Sequence, residues 1–206
     1  MLARTYRIET EILVIRCYQP QDAELLKRSI DESLEHLLPW MTWAKNEPES
    51  IQVKRERIRK FRGEFDLGLD YTFGIFSRDE QQLIGSTGLH TRIGKNAREI
   101  GYWINANYVQ QGYATETVRA LIKVGFEIEE LDRIEIRMIP DNLASQRIPE
   151  KLGFLYEGTL KNRMADTEGQ ARDMMIWTMF RPGYPQGNHA GFTCQAFKIA
   201  DEQILG

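Results

Sequence analysis

The chain predicts a mixed α/β fold: a mostly antiparallel sheet holding one parallel pair, with helices packed against it. Three observations carry this. Short β-branched runs recur along the chain, bounded by Pro, Gly and Asn turns. Other stretches repeat their apolar residues at helical spacing. One such helical stretch separates two strand-like runs, residues 98–104 and 134–139, which makes them a candidate parallel βαβ unit.

The elements follow in order. Residues 11–18 are rich in β-branched side chains and read as a first strand that Pro20 ends. Gln21 and Asp22 then open a helix with Ala23, Leu25, Leu26, Ile30, Leu34 and Leu37 on its apolar face, and Pro39 stops it. Pro39-Trp40-Met41-Thr42-Trp43 places two tryptophans in a loop. Pro48 opens a second helix through Phe61, rich in Lys, Arg and Glu. Its single apolar edge at Ile51, Ile58 and Phe61 suits a largely solvated helix, or a docking face for a protein substrate.

Residues 71–76 and 83–89 form a hairpin around the polar segment 77–81, and Gly94-Lys95-Asn96 turns the chain into the strand 98–104. The helix over 112–130 carries a stripe of Ala114, Val118, Leu121, Ile122 and Phe126, which should lie on the sheet. Residues 154–160 and 174–180 are the last strands, separated by a polar turn near 166–169. After Phe180 the run Arg181-Pro182-Gly183-Tyr184-Pro185 changes character. The expected organisation is therefore one domain over 1–180 and an irregular tail over 181–206.

Composition narrows the function. The 206 residues are 42% hydrophobic, enough for one well-buried core, and the net charge of −3 gives no basic field for wholesale nucleic-acid binding. Cys17 and Cys194 stand far apart, with no metal or redox spacing, and no metal is expected. No secretory or membrane-spanning apolar run is present, so a soluble, cytoplasmic protein is expected. His36 and His90 carry no partner pattern.

The informative stretch is 99–154. Gln110-Gln111-Gly112-Tyr113-Ala114-Thr115 is a small-residue turn leading into a helix. The first N–H groups of a helix lack backbone partners and favour an anion, so the turn reads as a pyrophosphate cradle. Two parallel strands that part at their C-terminal ends would leave a gap beside it.

Four motifs in this order resemble the GNAT acetyltransferase superfamily. They are Glu99-Ile100-Gly101-Tyr102-Trp103-Ile104, Gly112-Tyr113-Ala114-Thr115-Glu116, Asn142-x-x-Ser145, and Glu150-Lys151-Leu152-Gly153-Phe154-x-x-Glu157-Gly158. With Pro39-Trp40-Met41-Thr42-Trp43, the chain is similar to the RimJ/RimL branch, the ribosomal-protein N-terminal acetyltransferase type. The resemblance implies a splayed sheet with helices on both faces and acetyl-CoA in the wedge. It places the pyrophosphate on the backbone of Gln110, Gln111, Gly112, Tyr113, Ala114 and Thr115, and the pantetheine arm along Tyr102, Trp103 and Ile104. Asn142 would bond the pantetheine side, and Ser145 would lie near the sulfur.

The chain departs from the family pattern at three positions. Val109 stands where a Gln or Arg is frequent, Pro149 where many members carry a proton-donating Tyr, and Met164 near where some RimL-type enzymes place a glutamate. Ser145 then inherits the proton-donor role, with helix capping as its ordinary alternative. Asn142 is open between cofactor contact and a plain helix cap. Glu99 is the candidate base, acting through water, and the alternative is an ion pair with Arg98 or Arg137. Trp40 and Trp43 line the acceptor pocket or simply pack on the core edge. The expected activity is direct acetyl transfer to an amine, most readily a protein N-terminal α-amine. A small amine such as a polyamine, aminoglycoside or amino acid is the alternative acceptor, and a non-catalytic CoA-binding module is the rival. A homodimer is compatible with the sequence.

Overall fold

Alternate residues of the strand Leu13–Cys17 enter different hydrophobic clusters. Leu13, Ile15 and Cys17 bury in one, and Val14 in the other, where Tyr18 follows it. Side chains of a strand alternate between faces, so the sheet is covered on both. The computed structural model describes residues 4–186, 191–199 and 202–206.

Among the described residues, ten strands make one sheet. They are β1 (Arg7–Glu9), β2 (Leu13–Cys17), β3 (Tyr71–Ser77), β4 (Leu83–His90), β5 (Ala97–Ile104), β6 (Arg133–Met138), β7 (Leu155–Ala165), β8 (Ala171–Phe180), β9 (Gln195–Phe197) and β10 (Gln203–Leu205). Their order across the sheet is β10-β9-β1-β2-β3-β4-β5-β6-β8-β7. The pair β5–β6 is parallel and the other pairs are antiparallel. The helices are α1 (Ala23–Asp31), α2 (Leu34–Leu37), α3 (Ile51–Leu67), α4 (Tyr113–Glu127) and α5 (Leu143–Leu152). Helix α4 buries Val118, Leu121, Ile122 and Phe126 in one cluster, while α1 buries Ala23, Leu26 and Ile30 in the opposite one. None of the helices is long and apolar enough to cross a membrane among the described residues.

The predicted mixed sheet with one parallel pair is present, and four local expectations differ. The first helix breaks after Asp31 and resumes at Leu34, and the side chains of Ser29, Glu32 and Ser33 bond Asn105 and Ala106 just past β5. Helix α3 starts at Ile51, where the Ser50 hydroxyl accepts from the Val53 N–H at 3.4 Å. It runs on to Leu67 and ends at Gly68, whose φ of 72° suits a glycine C-cap. It is also less solvated than expected. Lys54 is fully buried between Glu47 and Glu49, and Phe65 packs on Tyr6, Tyr71 and Phe73.

The fourth difference is in the tail expected to be irregular over 181–206. Residues Arg181–Gln186 form a 3-10 turn, and β9 and β10 extend the sheet beyond β1. Alternation of the buried Cys194 and Ala196 drives β9, but three residues are too few to stand out as a period-two run. Strand β1 escaped notice for the same reason.

The parallel pair is short. Only Ala97↔Arg133, Arg98↔Ile134 and Glu99↔Glu135 face one another. Beyond Glu99, β5 continues with β4 as far as Ile104↔Gly85, while β6 continues with β8 as far as Met138↔Met175. The two strands thus part in the middle of the sheet, in front of α4 and α5.

Candidate active site

The gap is built from backbone. Past Glu99, the edge of β5 that faces β6 has no strand partner, and this includes Tyr102, Trp103 and Ile104. At the end of β5 the chain is fixed by Asn105, which is buried. Its side-chain amide donates to Ser29 Oγ at 3.1 Å and to Glu32 at 2.9 Å, and its Oδ1 accepts from the Asn107 N–H at 2.9 Å. Ser33 Oγ accepts from the Ala106 N–H at 3.0 Å. This anchor aims the next segment at the start of α4. It was not predicted, although an Asn directly after a strand is a turn signal.

The turn before α4 is left-handed at Gln110, φ 61°, and at Gly112, φ 86°. The first backbone bond of the helix runs from the Glu116 N–H to the Gly112 carbonyl at 3.0 Å. The amides of Tyr113, Ala114 and Thr115 therefore precede the intrahelical ladder. A Cβ placed on Gly112 would meet nothing within 4 Å among the described residues, so the turn leaves open space at that position. Open donors and the positive end of a helix dipole suit a diphosphate. Gln110 and Gln111 are exposed beside it, and Gln111 donates to the Asn107 carbonyl at 3.2 Å.

On the α4 side of β5, Tyr102 meets Ser145. The two hydroxyls lie 2.9 Å apart, and the Tyr102 hydroxyl also reaches the Ser145 carbonyl at 3.3 Å. Pro149 explains why that carbonyl is available. The N–H of residue 149 would bond it in an uninterrupted helix, and proline has none. Burial pushes the Tyr102 phenol up to about 12, against the opposing bond from Ser145. Asn142 is the N-cap of α5, its Oδ1 accepting from the Ser145 N–H at 3.1 Å, so the capping geometry allowed by the sequence is present.

On the opposite face lie Glu99, Gly101 and Trp103. Trp103 packs on Trp43 with ring centroids 6.2 Å apart, which seats the two-tryptophan loop against β5. That loop is held by the buried Lys54, which bonds Glu47 and Glu49, while Arg57 reaches Glu49 at 2.7 Å. Trp40 lies farther along, with Pro39, Thr42, Ile139, Met164 and Arg172 around a small cleft beside the β7–β8 hairpin. Glu99 is 7% exposed and engages Arg92 through both Nε, at 3.0 Å, and Nη2. Arg137 is 3.9 Å from it. The ion pair weighed for Glu99 therefore exists with Arg137 and more closely with Arg92, whereas Arg98 turns to Glu129 at 3.2 Å.

His36 is exposed. His90 does have a partner: its Nδ1 lies 2.8 Å from Asp70 Oδ2. The hairpin register could have revealed this, because Tyr71 faces Leu89 and so brings Asp70 beside His90.

Known proteins agree with this geometry. The family described as Acetyltransferase (GNAT) domain matches residues 13–155. YoaA of Bacillus subtilis (strain 168), named an uncharacterized N-acetyltransferase, is 31% identical over 178 residues, 85% of this chain and 97% of that one. The ribosomal protein uS5-alanine N-acetyltransferase of Escherichia coli (strain K12) is 27% identical over 186 residues, 88% of this chain and 94% of that one. The solved structure of Mycobacterium smegmatis RimJ in complex with a CoA disulfide has a TM-score of 0.73 at 23% identity. It spans 91% of this chain and 90% of that one, and shares its fold. With an open helix start beside a split parallel pair, and with the family match over residues 13–155, this chain belongs to the GNAT family of N-acetyltransferases.

Proposed function

We propose that the protein transfers the acetyl group of acetyl-CoA to the α-amine of a protein N-terminus, by direct attack within a ternary complex. The observation that carries this reading is the parting of β5 from β6 after Glu99↔Glu135, directly in front of the open N-terminus of α4. The residues fit the ligand: Gly112 leaves room for a diphosphate at the amides of Tyr113, Ala114 and Thr115. The free edge of β5 at Tyr102, Trp103 and Ile104 suits the amide groups of a pantetheine arm, and Asn142 stands across the gap. Resemblance to the uS5-alanine enzyme supports a protein acceptor.

Each side of the sheet has its task. The thiolate leaves on the α4 side, where Ser145 gives it a proton that Tyr102 helps to replace. The amine arrives from the opposite face, past Trp40 and Trp43, and its deprotonation is served from the side of Glu99. An α-amine titrates near 7.7–8.0 and a lysine near 10.4, so an N-terminus needs less help at neutral pH. A strand N–H at Ile104 is positioned to steady the carbonyl oxygen as it gains charge.

The test is steady-state release of free thiol, with a panel of N-terminal peptides and small amines, on the purified protein. Turnover with peptides beginning in Ala or Ser supports the reading. Turnover restricted to a polyamine, aminoglycoside or amino acid would reassign the acceptor. Tight binding of CoA with no turnover on any amine would make this a binding module.

A further inference from the structure

We propose that His90 is a catalytic residue of the transfer, the group whose Nε2 takes the proton from the incoming amine. The inference rests on the proposed acetyl transfer and assigns a step within it.

The argument begins with register. His90 on β4 faces Glu99 on β5, and Glu99 faces Glu135 on β6. These three form one row on the face that also carries Gly101 and Trp103, because side chains two apart on a strand share a face. The row marks the last position at which β5 and β6 are paired. The next residue of β5 on that face is Gly101, the first to border the gap.

The imidazole leans toward that gap. A Cβ built on Gly101 would lie 3.3 Å from His90 Nε2, and one built on Gly88 would lie 2.6 Å from it. Two glycines facing each other across β4 and β5 thus clear a flat bed for the ring. Any side chain at Gly88 would displace the ring. The bed places Nε2 against Gly101, on the part of β5 that lies past its last pairing with β6 at Glu99.

The ring is also oriented. Nδ1 bonds Asp70, and Asp70 accepts from the Thr91 N–H at 3.1 Å. A carboxylate on Nδ1 fixes that nitrogen as the donor and leaves Nε2 as a lone-pair acceptor. Nε2 has no hydrogen-bond partner among the described residues. The carboxylate next to it is in the opposite condition: Glu99 is gripped by both donors of Arg92 and approached by Arg137. With its oxygens occupied by these donors, the carboxylate offers the amine no free acceptor position. The charged groups around the ring are then Asp70 from the start of β3, Arg92 after β4, Glu99 on β5, and Glu135 and Arg137 on β6.

The proton account closes. The ammonium passes one proton to His90 Nε2, which returns it to water. The freed amine forms the bond to the acyl carbon while the C–S bond breaks, and the sulfur leaves with its electron pair. The second proton leaves the nitrogen for solvent through the same Nε2, and the sulfur takes one from Ser145, whose hydroxyl is refilled from solvent through Tyr102, so one proton in all is released. No oxidant or further reactant is required.

The test pairs two substitutions in the full chain. His90→Asn keeps a donor where Nδ1 was, so the tie to Asp70 persists, but removes Nε2. His90→Gln keeps a nitrogen near Nε2 that cannot accept a proton. Both should lower kcat by about a hundredfold, within the usual range for general-base catalysis. CoA affinity by calorimetry should stay within about twofold, and the acid limb of the rate–pH profile should vanish in both. Full activity in His90→Asn, with loss only in His90→Ala, would show that the ring merely ties β3 to β4 and would overturn the proposal. Wild-type protein that binds CoA but acetylates no amine would instead overturn the functional reading beneath it.

Discussion

The Tyr102 hydroxyl stands 2.9 Å from Ser145 Oγ and 3.3 Å from the Ser145 carbonyl, an oxygen that Pro149 leaves without its helical donor. A strand on one side of the gap is thereby joined to a helix on the other through a single serine. Tyr102→Phe should lower kcat by about tenfold or more while leaving the KM for the amine nearly unchanged. Ser145→Ala should cost at least as much. The double variant should be scarcely worse than Ser145→Ala, because both changes cut one path. Additive losses in thiol-release assays would mean that the two hydroxyls act separately. Since burial holds the phenol up at about 12, Tyr102 should stay protonated past pH 10, where free tyrosine titrates. It should therefore add no alkaline limb to the rate profile over that range.

Gly112 combines a left-handed φ of 86° with empty space at its missing Cβ. Gly112→Ala should lower stability by about 1–2 kcal/mol through backbone strain alone. Gly112→Glu should in addition weaken CoA binding more than tenfold, since it sets an anion where the phosphates are proposed to sit. Calorimetric titration compared with thermal melts separates the two effects. Equal affinity in both variants would place the diphosphate elsewhere.

Lys54 is buried with the carboxylates of Glu47 and Glu49. Lys54→Met should cost about 3 kcal/mol, because buried Glu47 then loses its nearest cation and only Arg57, 3.5 Å away, still faces it. Adding Glu47→Gln should recover part of that loss. Urea unfolding measures the stability. Tryptophan emission reports whether Trp43 has left Trp103, which would also raise the KM for the acceptor.

Asp70 gives a pH signature. Burial pushes its carboxyl up, but the bonds from His90 and from the Thr91 and Tyr71 amides outweigh this and leave it below the ordinary range. A depressed acid stabilises the fold above its unfolded pKa, about 3.9 for Asp, and loses that contribution as pH falls through the lower folded value. Asp70→Asn should therefore be less stable than wild type at pH 7, with the difference shrinking below about pH 4. Denaturant melts at pH 7, 5 and 3 read this directly; a constant difference would refute the linkage.

Much of this molecule could be read from its sequence because the signals were local. The helix stripe at Val118, Leu121, Ile122 and Phe126, the hairpin around residues 77–81 and the glycine before α4 each announce themselves within a dozen residues. What the pattern does not show depends on which polar side chains meet, whether far apart in the chain or across a turn. Asn105 matters because it meets Ser29 and Glu32, and Lys54 because it meets Glu47 across a turn. Periodicity marked α3 as a solvated helix; it could not tell that one lysine on it lies inside. Strand neighbours such as Arg98 and Arg137 are the partners the sequence suggests for Glu99, yet the closest one, Arg92, comes from the turn beyond β4. Strands of three residues, such as β1 and β9, carry too little pattern to be seen before their partners are known.

That last pair has a topological meaning. Arg7↔Phe197, Ile8↔Ala196 and Glu9↔Gln195 join two strands between which nearly every other element lies in chain order. Until β9 is in place, that margin of β1 stays bare. A protein trimmed behind β8 would keep the catalytic wedge but wear a raw hem along β1, a template for sticking to its own kind.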